Sequence, residues 1–455
     1  MSSSRDASGK RAAVVLAASA FVAMCILVPV VAHAALTTTT VRISLKSNGS
    51  EVNADNEFAS VSGNGRLVTF ESQGKFTPND DGSDEDVFIR NTKTKKTSRV
   101  SVRQNGNEIP GANSAESSIS SSGRYVAFAS DGAFRSGDTN GFVDIYVKDR
   151  KTGGVKRVSV DKDDKQVMAD AFDPAISAGG RYVAFISDGA FVPGDTNGDV
   201  DVYVRDLQNG TTRRASLRDD GGEPQVDSLN PSISANGRYV AFYNNDQQMT
   251  ADSDYGFMVD YDVFVRDMSQ GKTIRASLRS NGAEADPNDN QNNLTPVISA
   301  DGRFVAFSAD AFGTFVGTDT NNQPDVYIHN LVNGSKSRVS VKSDEQEATG
   351  SSGNGSERPL AISANGSKVA FEAYAALVPT DTNNERDVYL RDRGRGVTKR
   401  VSVKRNGAQI TTGAGGQQLP AISGDGHWVA FQTIGKVTKG DAGNDFDVFR
   451  RGPLP

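Results

Sequence analysis

The chain has 455 residues, 50 basic and 56 acidic side chains, and a formal net charge of −6. The acidic surplus and the lack of a basic stripe argue against nucleic-acid binding, and the single cysteine, Cys25, excludes a disulfide framework. So long a chain would ordinarily hold more than one domain, but internal repeats account for nearly all of it.

Residues 1–34 read as a secretory signal peptide. Arg5, Lys10 and Arg11 make a basic start, Ala12 to Val31 is almost wholly apolar, and Ala32-His33-Ala34 is a small-x-small cleavage site. The apolar run is long for a signal peptide, so an uncleaved N-terminal anchor is the alternative, and only then would the chain meet a membrane. Met24 before Cys25 does not suit a lipoprotein site. Cleavage after Ala34 would remove the only cysteine and leave 47 basic against 55 acidic residues. The expected location is extracytoplasmic, either periplasmic or secreted.

Residues 35–455 follow as one domain. Val41-Arg42-Ile43-Ser44-Leu45 reads as a lone strand ahead of a unit written seven times. The unit is anchored by Gly65-Arg66, Gly123-Arg124, Gly180-Arg181, Gly237-Arg238, Gly302-Arg303, Gly366-Ser367-Lys368 and Gly426-His427, with glycines 58, 57, 57, 65, 64 and 60 residues apart. That period suits one four-stranded propeller blade.

Strand A ends in Ile-Ser, as at Ile176-Ser177, and a two-residue turn such as Asn236-Gly237 leads to strand B. Strand B, as in Tyr182 to Phe185, is apolar on both faces and therefore covered on both. Strand C is Asp201 to Arg205 and its equivalents, and strand D is Arg157 to Val160 and its equivalents, alternating as an outer strand should.

The seventh copy stops at Pro455 after its strand C, Asp447 to Arg450, and lacks strand D. The N-terminal strand supplies it. The fold class is therefore all-β, a seven-bladed β-propeller of four-stranded antiparallel blades, closed by the N-terminal strand that completes the last blade.

A–B and C–D turns are short, whereas B–C and D–A connections are long and emerge on one face, the expected binding surface. Its B–C loops carry Asp138, Asn140 and Asp144; Asp195, Asn197, Asp199 and Asp201; Asp319, Asn321 and Asp325; and Asp381, Asn383 and Asp387. Oxygen side chains at positions 1, 3, 5 and 7 of a sharply turning loop are candidate calcium ligands. The flanking helices and the position-12 Glu of an EF-hand are missing. Asp and Asn also cap turns without any metal, and position 7 persists in all seven copies where the rest of the motif fails, which favours capping there.

An arginine recurs in strand D at Arg42, Arg99, Arg157, Arg214, Arg275, Arg338 and Arg400. Sevenfold repetition marks it as structural, and on an outer strand it is expected to be solvated. His329 and His427 stand where other copies have Arg or Lys and read as surface substitutions. Tyr255, Phe257 and Met258 make an aromatic and sulfur cluster on the B–C loop of blade four, either a partner-binding spot or a local core. There is no Gly-x-Ser-x-Gly elbow, His-Glu-x-x-His or phosphate-cradling loop, so no catalytic residue is assigned.

The run Pro-x-Ile-Ser-x-x-Gly-Arg-x-Val-Ala-Phe, at Pro231 to Phe242 and Pro296 to Phe307, resembles the repeats of the TolB-like, Trp-Asp-repeat-like β-propeller family over essentially the whole mature chain. The resemblance implies an exported propeller used for protein contacts. Ala or Ser replaces the family's usual turn Pro, and seven units stand in place of six. Oligogalacturonate lyases look similar in architecture, but their metal-binding histidines have no counterparts here. The expected function is a secreted, non-catalytic, monomeric binding module for a protein or other extracellular ligand, with calcium as a possible stabilising ion; the alternative is a secreted carbohydrate-active hydrolase or lyase using carboxylates of the long-loop face.

Overall fold

The computed structural model describes residues 38–455 apart from 81, 247, 251–260, 280, 281, 283–292, 310–314, 317, 318, 354–358, 412–415, 440 and 442–444. The predicted signal peptide and the Tyr255, Phe257 and Met258 cluster lie outside the described residues. No described helix is long and apolar enough to cross a membrane.

Seven four-stranded antiparallel sheets make up the described structure. In blade three the strands are Ala171–Ile176, Tyr182–Ser187, Asp201–Asp206 and Thr211–Arg214, paired in that order. Successive strands A touch around the ring, and Gln417–Ile422 of the last blade touches Asn56–Val61 of the first, so strand A is innermost. The seventh sheet takes its outer strand from the other end of the chain: Thr39–Arg42 pairs with Asp447–Gly452, from Thr39 opposite Gly452 to Arg42 opposite Phe449. This is the predicted closure.

Strand B is buried along its apolar run in the described blades, because the next blade covers its second face. Each blade contributes a large apolar side chain from three places, all aromatic in blades one, two, three and five, with Met249, Leu377 and Val437 at the loop position in blades four, six and seven. In blade three, Phe185 of strand B, Phe191 of the B–C loop and Tyr203 of strand C have ring centroids 4.9 to 5.7 Å apart. Truncating one such ring to alanine costs about 3–5 kcal/mol.

The repeated Gly-Arg anchor has two causes. The turn glycine is left-handed, with φ of +75° at Gly180, and a Cβ there would lie 2.2 Å from the Tyr125 ring of the preceding blade. The arginine that follows folds back over the next residue's ring and pairs with the end of strand C: Arg181 lies 4.8 Å from the Tyr182 centroid and 2.7 Å from Asp206.

Two further devices join neighbouring blades and run across the chain termini. Near the end of strand C a cation donates to carbonyls of the preceding blade, as Lys148 does to Val102 and Arg103, and Arg90 repeats this across the closure, to Leu45 and Lys46. The A–B turns are linked by backbone hydrogen bonds, among them Ser121 N–H to Ala178 and, across the closure, Asp425 N–H to Gly63.

Strand D departs from the expected position. It ends at the recurring arginine rather than beginning there, as in Thr211–Arg214 and Lys96–Arg99. Its wet face is also the opposite one, since Thr97 and Arg99 are buried while Lys96 and Ser98 are exposed. The cause is an ion pair to strand C, described below.

Deleting residues 38–46 should remove a hydrogen-bonded strand and expose the edge of blade seven. The expected result is a large fall in melting temperature with loss of a single cooperative transition; an unchanged melt would show that the ring does not depend on this strand.

Candidate functional site on the long-loop face

At the base of every B–C loop, the first residue of strand C is an aspartate that forms an ion pair with the strand-D arginine and accepts from a serine two residues beyond that arginine. In blade three, Asp201 Oδ2 lies 2.7 Å from Arg214 and Oδ1 accepts from Ser216 at 2.5 Å. The same set is Asp86, Arg99 and Ser101; Asp144, Arg157 and Ser159; Asp262, Arg275 and Ser277; Asp325, Arg338 and Ser340; Asp387, Arg400 and Ser402; and, across the chain ends, Asp447, Arg42 and Ser44. Each serine also accepts the next strand-C N–H, at 2.9 to 3.2 Å. The arginine expected in solvent is therefore inside, because its guanidinium is the counterion of a buried carboxylate. Burial pushes these carboxyls up, to about 6 at Asp86 and Asp387 and about 7 at Asp447, against the pull of the serine and the arginine.

The structure brings together positions 1 and 7 of the acidic loops. Asp138 and Asp144 both reach Arg157, at 3.0 and 2.9 Å; Asp195 and Asp201 reach Arg214, at 3.1 and 2.7 Å; Asp381 and Asp387 reach Arg400, each at 3.2 Å. A tyrosine of strand C donates to the first carboxylate in these three blades: Tyr146 to Asp138, Tyr203 to Asp195 and Tyr389 to Asp381.

The position-3 asparagines face elsewhere. Asn140, Asn197, Asn321 and Asn383 donate to the carbonyls of Val167, Pro224, Ala348 and Ile410 in the following D–A connection, and their Oδ1 atoms accept N–H groups of their own loops. They pin two loops together. Asp199 is partly exposed and does not join the Arg214 cluster, although its neighbour Asp227 accepts from Val200 N–H.

A residue that the loop motif did not contain completes the cluster, nine positions after each arginine. It is Glu51, Glu108, Glu223 or Glu347 in four blades and Gln166 or Gln409 in two others, and it touches the guanidinium in each. The fixed spacing from the arginine was the available signal. Carboxylate oxygens of Asp80, Asp86 and Glu108, and of Asp319, Asp325 and Glu347, lie within 4.8 Å of one another and could hold a metal ion.

Above this repeated layer the ring loses its symmetry. Strand A carries a β-bulge in its first half, toward the long-loop face, as at Phe172 to Ala175 and Leu229 to Ser232. The bulged residue is left-handed although it is not glycine: Phe58, Glu116, Asp173, Asn230, Thr295 and Leu419 have φ between 49° and 57°. Residues held there cost free energy and persist only where surrounding contacts dictate them. Here, side chains of adjoining blades accept the freed N–H groups, Gln432 from Phe58, Glu116 from Asp173 and Glu372 from Leu419. In blade six Pro359 takes the position and strand A shortens to Leu360–Ile362.

The bulges line the channel mouth. Asp173, Asn230 and Thr295, with Ser60 and Ser118, border a cavity of about 190 Å³, and Phe58 and Leu419 border an adjoining one of about 290 Å³. The mouth mixes polar and apolar side chains around the ring: Pro174, Pro231 and Pro296 stand beside Asp173, Asn230 and Thr295 in the first cavity, and Ser60, Ser118 and Ser232 beside Phe58 and Leu419 in the second. Met168, Phe172 and Tyr374, three of the exposed large hydrophobic residues, stand on this same face, at 65%, 39% and 47% exposure.

The two described histidines are structural. His329 is buried rather than on the surface, its Nδ1 at 3.0 Å from the Ala276 carbonyl of the preceding blade, two residues short of the carbonyls that the longer Lys or Arg reaches in other blades. Burial pushes its imidazole down to about 4. His427 is exposed and its Nδ1 meets the Leu454 carbonyl at 2.6 Å.

The clamp gives Asp201 and Asp199, on one loop, opposite expectations. Asp201→Ala removes the buried acceptor shared by Arg214 and Ser216 and should cost about 1–3 kcal/mol in urea unfolding, whereas Asp199→Ala should change stability by less than about 0.5 kcal/mol. Equal small effects would remove the clamp from its structural role.

No family model matches the sequence, and no curated protein matches it. Solved structures do. An oligogalacturonate lyase in complex with manganese is 10% identical, with 92% of this chain and 96% of that one covered and a TM-score of 0.54. The oligogalacturonate lyase of Vibrio parahaemolyticus is 11% identical over 92% and 97%, with a TM-score of 0.51. TolB from Acinetobacter baumannii is 15% identical over 76% of this chain, which spans 62% of that protein, with a TM-score of 0.38. The two lyase likenesses bear out the propeller as the fold.

Proposed function

We propose that this chain is a secreted, non-catalytic TolB-like propeller that binds a protein or another extracellular ligand through its long-loop face, with calcium as the stabilising ion where the acidic loops have oxygens to spare. One observation carries the reading: six equivalent left-handed positions at the channel mouth hold six different side chains, Phe58, Glu116, Asp173, Asn230, Thr295 and Leu419. The rest of the blade repeats because it builds the blade. A ligand breaks sevenfold symmetry, and the mouth is where symmetry is broken.

The chemistry of the mouth suits recognition more than bond cleavage. Its carboxylates are engaged in holding backbone, as Glu116 holds the Asp173 N–H at 2.6 Å. The interleaved polar and apolar side chains of the mouth fit a ligand that combines hydrogen-bonding groups with apolar surface. Exposed Phe172 and Tyr374 extend the contact area outward.

Asn230→Trp places a bulky ring over the mouth and leaves the clamps intact. In pull-downs from envelope extracts, a partner retained by the wild-type mature chain should be lost with Asn230→Trp and kept with Arg66→Glu on the short-turn face. Retention by all three would move binding away from the mouth. Polysaccharide cleavage by the purified chain, abolished by Asn230→Trp, would replace the binding reading with the carbohydrate-active one.

A further inference from the structure

We propose that blade five holds a divalent cation on Asp319, Asp325 and Glu347, with the Tyr327 hydroxyl as a further oxygen, while the matching clusters of the other described blades are closed by their arginine together with tyrosine, serine or backbone donors. The proposal deepens the calcium part of the function above and is independent of the ligand-binding part.

The three carboxylates bring oxygens within 4.8 Å of one another, and Asp325 is only 2% exposed. Against them stands one guanidinium: Arg338 Nη1 lies 3.1 Å from Asp325 and also contacts Glu347. Two negative charges remain in a buried place, which a dication would neutralise.

The independent observation is the tyrosine. Tyr327 is fully buried and its hydroxyl has no hydrogen-bond partner among the described residues, whereas Tyr146, Tyr203 and Tyr389 at the same strand-C position donate to the first loop aspartate. Asp319 Oδ2 is likewise buried and without a hydrogen-bond partner among the described residues, and its Oδ1 accepts from Asn321 and Asn322 N–H, which aligns the carboxylate without using the second oxygen. Unpaired buried oxygens are costly, so several at one point imply an absent partner. All are hard oxygen donors, the set that Ca²⁺ or Mg²⁺ takes.

Comparison with other blades isolates the difference. In blade one the carboxylates are equally close, but Asp80 accepts from Phe76 and Gly82 N–H through its two oxygens, and strand C has Phe88 where blade five has Tyr327. In blade three Arg214 spans Asp195, Asp201 and Glu223 at 3.1, 2.7 and 3.0 Å, so three carboxylates are tied by one cation.

The test uses the purified full-length chain stripped with chelator, then dialysed against Ca²⁺ or Mg²⁺, with bound metal counted by elemental analysis and melting temperature followed. About one metal per chain and a saturable rise in melting temperature are expected. Glu347→Gln should abolish both; Gln166 and Gln409 fill this place in blades two and six, so the substitution is compatible with the fold. Tyr327→Phe, matching Phe88, Phe264 and Phe449, should weaken binding roughly tenfold. Glu108→Gln in blade one should leave the metal count unchanged. No bound metal with either ion, or a count insensitive to Glu347→Gln, would overturn the site and assign the unpaired oxygens to water. The pull-down with Asn230→Trp reads the ligand face separately, so either part can fail alone.

Discussion

The structure depends on a buried ion pair between adjacent strands. An aspartate at the start of strand C accepts from the arginine that ends strand D, and a serine two residues on ties the same carboxylate to strand-C backbone. The outermost strand of a blade has a single strand neighbour and the fewest ladder hydrogen bonds to hold it. A charge-assisted bond at its end fixes both its register and where it stops. In the last blade the same contact runs from Asp447 to Arg42, so the device that finishes six blades also closes the ring.

This accounts for the density of aspartate on the long-loop face. Most of that charge is directed inward and spent on arginine, leaving loop asparagines to bind the next connection and turn the chain. On the proposed binding reading, recognition falls to positions that the clamp does not use. The left-handed bulges of strand A are such positions: their backbone is repeated, but their side chains differ from blade to blade. A rigid ring with one variable rim is the physical basis for reading the molecule as a binding scaffold.

The fold was legible in the sequence because it is periodic. Gly180-Arg181 and its equivalents mark a left-handed turn, Tyr182 to Phe185 marks a doubly covered strand, and the missing last strand matches the one before the first repeat. The buried arginine was legible as a repeat but not as a partner. An outer strand ordinarily points its charges to water, and only the pairing of strand C with strand D shows that Arg214 faces Asp201. The bulge was hidden for another reason: Phe58, Glu116, Asp173, Asn230, Thr295 and Leu419 share no residue type, and three-dimensional equivalence is what aligns them. His329 illustrates the same limit, since a change of Arg or Lys to His on an apparent surface turned out to be a buried contact between blades.

The most direct test of this account is a double-mutant cycle across the chain ends, with Arg42→Ala, Asp447→Ala and the double variant unfolded in urea with excess chelator. The account predicts that each single change is strongly destabilising and that the double variant loses far less than their sum, with a coupling of about 1.5 kcal/mol or more. Single effects that add to within about 0.5 kcal/mol would contradict it, because the carboxylate and the guanidinium would then not be holding one another.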